Sequence, residues 1–339
     1  MKRTVIITAI AAAFLNIFSV QAQNSDAVNT AATDSVTYTE TGNRFYEHLW
    51  RNGEIYHSRE LAHGTILDID WQKKSNIVFA KGVTMTSGWY DVNKKKDGRT
   101  GEDGNMCWAA AAANMLEWWQ DRYKEIYGTL PEGAISGGGK KYELAIFEQY
   151  QKDWDNYYGS EVYYAIPWYL NGEDRTANAV YVGKPHPGTG GFYAAQWPEL
   201  QNLMEQNYTY EVNGYGTWGD GWGVDTSRDP LEIFTEHIVD AFEHGMASIS
   251  ITIGVSMMHT VTMWGYELDD NGLVKKIFVT DSDNQLKKPK EPRMPIIHEY
   301  EVVVRNGRDI GIVGSYDGYN LITQIVPFKG LLKTKPVSE

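Results

Sequence analysis

Cysteine is almost absent from this chain: its 339 residues contain one, Cys107. An internal disulfide is thereby excluded, and so are metal sites built from paired cysteines. Basic residues are also in deficit, with 31 Lys and Arg against 44 Asp and Glu and a formal net charge of −13. Phosphate binding needs basic patches, so this surface argues against nucleic acid as a partner. There is no HExxH pair and no phosphate-cradling glycine loop, so no metal and no cofactor is expected. Long apolar runs are missing too: the N-terminal one is too short, and the polar segment after it too abrupt, for a convincing transmembrane helix.

Met1–Ala22 is the one apolar stretch, and it reads as a secretory signal peptide. Lys2 and Arg3 precede the apolar Val5–Val20 run, and Val20-Gln21-Ala22 offers small residues for cleavage before Gln23. No cysteine follows to carry a lipid anchor, so the mature protein is expected to be secreted or periplasmic, with no membrane anchor. A lone free thiol in an oxidising compartment is a liability unless it is used, which draws attention to Cys107.

Cys107 stands where a polar, glycine-rich loop runs into an alanine-rich helix, CWAAAAANMLEWWQDRY. The first backbone N–H groups of a helix lack intrahelical partners and carry partial positive charge. A thiolate there is stabilised, so its pKa falls below the free value of about 8.5. The same residue, without partners, also fits a small buried hydrophobe. Helical spacing and Gly128 as a stop predict a helix over Trp108–Tyr127, anchored by Met115, Leu116, Trp118 and Trp119.

Gln23–Gly42 is small and polar and reads as a flexible lead-in before one domain spanning 43–339. No firm element is assigned to Asn43–Asp70. A strand is expected within Asn76–Thr86 and a second helix over Tyr142–Trp154. The aromatics of Tyr157–Tyr169 suit lobe packing or a binding platform. Asp229-Pro230 opens a further helix with an N-cap acid and a proline at its first position, and Gly245 closes it. Strands follow over Ala247–Gly254, His259–Leu268, Leu273–Thr280, Val302–Val304 and Leu321–Val326. Helices first and strands later predict an α+β fold with a helical and a sheet lobe.

The hairpin at Asp269-Asp270-Asn271-Gly272 permits a test of parity. If Asp270, Asn271 and a left-handed Gly272 form the loop, Asp269 pairs with Leu273. His259 then faces Asp283, and Asp281 lies on the same side of the sheet. Imidazole and carboxylate beside a helix-start thiol are the parts of a thiol acyl-transfer site. Seven other histidines compete for the role, and Asp281, Asp283 and Asn284 also suit a solvated or calcium-binding turn.

Three separated motifs, in order, resemble the IdeS/Mac immunoglobulin-degrading cysteine endopeptidases. Cys107–Trp119 resembles their Cys-Gly-Ala-Ala-x-Ala-x-Asn-Met-Leu-x-Trp-Trp helix, with Trp108 in place of the glycine. Gly88–Lys94 (GWYDVNK) resembles their Gly-Trp-Tyr-Asp-Ile-Thr-Lys segment, and His259–Asp283 resembles their histidine and aspartate strands. The resemblance implies a papain-like fold: a helical lobe carrying the nucleophile helix, packed on an antiparallel sheet lobe. It implies Cys107 as nucleophile, His259 as base and then acid, Asp281 as orienting acid and Asp283 as a second carboxylate. Lys94 would stabilise the oxyanion with the Cys107 N–H, as papain's glutamine does where this chain has Gly101. The implied substrate is a protein, with immunoglobulin the first candidate. A catalytically inactive secreted module, binding protein or glycan on a protease-like scaffold, is the alternative.

Overall fold

The computed structural model describes residues 35–41, 44–51, 54–61, 76–95, 103–137, 142–193, 210–211, 228–253, 257–283, 295–307, 309–315 and 318–330. Met1–Ala22, the glycine-rich stretch Asn213–Gly223 and Asn284 lie outside them. The chain divides into two compact units, residues 1–72 with 336–339, and residues 73–335.

The first unit contains a three-stranded antiparallel sheet in the order β1 (Ser35–Thr41), β2 (Arg44–Arg51), β3 (Glu54–Leu61). Ser35–Thr41, within the expected lead-in, is a paired strand, and residue 72 divides the two compact units within the expected span 43–339. Thr41 pairs with Arg44 and Arg51 with Glu54, so consecutive hairpins build the sheet.

The second unit is α+β. Its strands are β4 (Ile77–Phe79), β5 (Tyr210–Glu211), β6 (Met246–Ile253), β7 (Met257–Leu268), β8 (Val274–Thr280), β9 (His298–Arg305), β10 (Asp309–Ser315) and β11 (Gly318–Phe328). From β6 to β11 each strand pairs antiparallel with the next, and β11 returns to pair with β6. The sheet therefore closes into an up-and-down barrel, which leaves no free edge around the ring. Ile249, Ile251, Met263, Ile277, Ile312 and Phe328 are all fully buried. β4 is shorter than the expected strand. Among the described residues it pairs with the Gly265–Glu267 end of β7, and past Ala80 the chain turns through Gly82 at φ 71°.

Four described helices accompany the barrel: α1 (Cys107–Tyr127), α2 (Ala145–Asp153), α3 (Val162–Asn171) and α4 (Pro230–His244). In α4 the Asp229 carboxylate accepts from Leu231 N at 2.8 Å, the N-cap that the sequence predicts. α3 holds Pro167 in its interior, which costs an intrahelical bond and hides the helix from sequence pattern. α1 is buried all round from Trp108 to Gln120 and packs against β6, β7, α2 and α3. Ala109–Ala113 are the reason it can: small side chains let neighbours approach closely on every face while favouring the helix. Gly128, at φ 79°, ends it by donating to the Lys124 carbonyl at 2.8 Å.

The β7–β8 hairpin carries the site. Asp269 N donates to Leu273 O at 2.8 Å, Gly272 adopts φ 79°, and the Asp269 carboxylate accepts from Asn271 N and Leu273 N. Two bulges follow, one leaving Lys275 unpaired on β8 and one leaving Trp264 unpaired on β7. They fall on opposite strands and cancel, so Thr262 pairs with Thr280 and the loop's original parity is restored. Gly265 is required beside the second bulge: a Cβ there would lie 2.5 Å from the Phe79 ring and 2.6 Å from Val78 O.

Candidate active site

Cys107 is the first residue of α1 and is half-buried, at the N-terminal edge of the buried run Trp108–Gln120. Met106, the preceding residue, supplies no side-chain cap, and the first turn contains no acid. No side-chain cap or first-turn acid therefore offsets the partial positive charge of this helix start. β7 presents His259, which is 3% exposed, and the turn after β8 presents Asp281 at 4%. His259 Nε2 lies 2.7 Å from Asp281 Oδ1, while its Nδ1 is 3.9 Å from Asp283 Oδ2. The Asp281 carboxylate also accepts from Asp283 N at 2.9 Å, which fixes its orientation. With Nε2 engaged by Asp281, Nδ1 is the nitrogen left for Cys107, and the thiol and imidazole are hydrogen-bonded.

Lys94 completes the cluster from the segment before α1. Its Nζ donates to Gly104 O and Asp283 Oδ1, each at 2.8 Å, and its backbone N donates to Ser282 O at 2.9 Å. The Gly88–Lys94 segment is threaded between helix and barrel by buried contacts. Val92 N donates to Asn114 Oδ1 at 3.1 Å, and Asn114 Nδ2 reaches Thr262 Oγ1 on β7 at 3.0 Å. Trp264 Nε1 donates to Thr280 Oγ1, which itself donates to Tyr90 O at 2.9 Å. The Asn of the helix motif and the Trp of the histidine strand are therefore joints of the scaffold.

Electrostatics follow from this packing. Burial pushes the Cys107 thiol up, but the hydrogen bond and charge of His259, then the charge of Lys94, outweigh it and hold it below the ordinary value. Burial pushes His259 down, and Asp281 with Cys107 overrides this, so the imidazole lies well above its usual range. Lys94 is raised despite burial by the negative charges of Cys107, Asp283 and Asp281. These directions describe a thiolate–imidazolium pair.

All five residues singled out in the sequence meet here: Cys107, His259, Asp281, Asp283 and Lys94. His259, Asp281 and Asp283 also offer ligand atoms within 4.8 Å of one another, a set that could hold a metal ion. The positive charge against Asp283 is the Lys94 ammonium. Trp108, which stands where the family motif has glycine, is buried against Tyr150 and Trp154 with ring centroids 5.7 and 4.8 Å away. The aromatic run divides. Trp168 and Tyr169 are in the core, while Tyr157 and Tyr158 are exposed beside Tyr181.

Sequence reasoning missed the supports. Asp103 is buried, and its Oδ2 accepts from Lys95 N at 2.7 Å and from Gln151 Nε2 at 3.3 Å. Asn105 Nδ2 ties the loop before Cys107 to the carbonyls of Asn156 and Tyr157. His298, opposite Val279 on β9, interacts with Asp281, and burial lowers its pKa. An acid four positions before the candidate nucleophile was the one available signal; partners such as Gln151 and His298 are distant in sequence.

The Mac 1 family model matches residues 17–164 and 230–305. The chain belongs to the Mac-1 (IdeS/Mac) family. The match covers Lys94, Cys107, His259, Asp281 and Asp283. Among curated proteins, an "IgM protease" of Streptococcus suis (strain P1/7) is 25% identical over 293 residues, covering 73% of this chain and 24% of that protein. This Mac-1 chain thus spans about a quarter of the length of the relative it matches.

Proposed function

We propose that this protein is an exported, papain-like cysteine endopeptidase that cleaves a protein substrate, with immunoglobulin M the first candidate. One observation carries the reading: a thiol at the start of a buried helix, hydrogen-bonded to an imidazole whose other nitrogen is held by a carboxylate. The signal-like Met1–Ala22 supports export. The name of the Streptococcus suis relative supports the substrate class.

In this mechanism His259 Nδ1 holds the proton of Cys107, and the thiolate attacks the scissile carbonyl carbon. Negative charge collects on the carbonyl oxygen, stabilised by the Cys107 backbone N–H and the Lys94 ammonium. Imidazolium then passes its proton to the departing amine as the C–N bond breaks, leaving an acyl-thiol on Cys107. Water, deprotonated by His259, hydrolyses the thioester and returns the thiol. Asp281 keeps the ring in its tautomer and stabilises imidazolium. Asp283 holds Lys94 beside the site.

The test is cleavage of purified immunoglobulin classes, read by mass spectrometry of the fragments, with wild type and Cys107→Ala. Wild type is expected to yield discrete fragments and the alanine variant none. Undiminished cleavage by the variant, or activity that survives alkylation and disappears with a chelator, overturns the mechanism. The exposed Tyr157, Tyr158 and Tyr181 favour a second reading, a binding module on the same scaffold. Failure of Cys107 to react with an active-site thiol reagent faster than a free thiol would decide for it.

A further inference from the structure

We propose that Asp103 is a positioning residue for Lys94, holding that ammonium where it acts on the oxyanion. The inference rests on the proteolytic reading above and assigns a role to a residue between the two motifs Gly88–Lys94 and Cys107–Trp119. Asp103 is 1% exposed, and a carboxylate is costly to bury unless its bonds serve it. One of its oxygens accepts from Lys95 N at 2.7 Å, one peptide from Lys94, and from Gln151 Nε2 of α2 at 3.3 Å. Its carbonyl accepts from Met106 N at 3.0 Å, immediately before Cys107. The neighbouring carbonyl, of Gly104, accepts from Lys94 Nζ at 2.8 Å.

The backbone around Lys94 is thus pinned on two sides. Lys94 N donates to Ser282 O, between the two site aspartates, and Lys95 N donates to Asp103. A lysine is a point charge on a flexible stem, so where its ammonium rests depends on where its backbone is held. Without Asp103, Lys95 N loses its acceptor on the loop that leads into the nucleophile helix. Gln151, by engaging the same oxygen, relays the position of α2 to this joint.

The experiment compares Asp103→Ala, Asp103→Asn and Lys94→Met singly, and Asp103→Ala with Lys94→Met together, in the full chain. Immunoglobulin M is the substrate and iodoacetamide the probe of Cys107. Asp103→Ala is expected to lower kcat at least about tenfold while KM stays within about twofold, the pattern of a lost transition-state interaction. Asp103→Asn keeps an oxygen for both donors and is expected to restore most of the rate. In the double variant the loss should match that of Lys94→Met alone within about twofold, because the two act as one unit. Both single losses should move the pH profile of alkylation upward, since each takes positive charge from beside the thiolate.

Losses that multiply in the double variant, or an Asp103→Asn variant as slow as Asp103→Ala, overturn the proposal. If Asp103→Ala does not fold, Gln151→Ala carries the same cycle against Lys94→Met with a smaller expected loss. Cleavage that does not depend on Cys107 would instead sink the cysteine-protease reading, while the alkylation profiles still test the role of Asp103.

Discussion

His259 has two ring nitrogens, and its neighbours divide them. Asp281 engages Nε2 at 2.7 Å, so the thiol is served by Nδ1. With the thiol lowered and the imidazole raised, the ion pair spans the interval between the two values. Iodoacetamide should therefore modify Cys107 rapidly at pH values well below the free-thiol pKa of about 8.5. In His259→Ala the largest lowering influence is gone and burial dominates, so the profile should move upward. The alkylation rate at neutral pH should fall about tenfold per pKa unit moved. An unchanged profile would show that His259 does not control the thiol. Asp281→Ala leaves an imidazolium without its counter-ion in a buried site. Its kcat is expected to fall by about two orders of magnitude, measured by initial rates of immunoglobulin M cleavage.

At the scale of elements, α1 explains why an alanine run follows Cys107. The helix packs against the barrel and two other helices, and over Ala109–Ala113 every side chain is a buried methyl. Ala112, fully buried, should not accept leucine: overpacking there is expected to cost about 1–3 kcal/mol, read as a lower denaturant midpoint. Asn114→Ala would strand Val92 N beside the Lys94 segment and cost about 1–3 kcal/mol. It should also slow alkylation of Cys107, which links the scaffold to the site. The same helix was legible in sequence from its spacing and Gly128. α3 was not, because Pro167 signals a break and tertiary packing overrides it. The hairpin parity was legible from Asp269–Gly272. Its survival depended on two compensating bulges, at Lys275 and Trp264, that no spacing rule discloses.

At the scale of the molecule, all five candidate site residues lie in the unit of residues 73–335, and the barrel and α1 lie there too. A chain of residues 73–335 is expected to fold by itself and to keep the alkylation profile of Cys107, checked by circular dichroism and iodoacetamide kinetics. Loss of the profile in a folded fragment would show that residues 1–72 contribute to the site. The β2–β3 hairpin of the first unit had a sequence signal, Asn52-Gly53 between runs containing Tyr46, Leu49, Ile55 and Tyr56, which the polar flanks obscured.

Several properties were determined by the sequence alone. One cysteine forbade a disulfide, the Cys107 junction marked a helix start, and three motifs in order named the family. These are local or compositional facts, legible without knowing what touches what. The tertiary structure decided that the sheet closes into a barrel, that both bulges cancel, and that Asp103 and Gln151 stand behind Lys94. Those outcomes depend on contacts between residues far apart in the chain. Close packing selects such contacts jointly, and no single stretch specifies them.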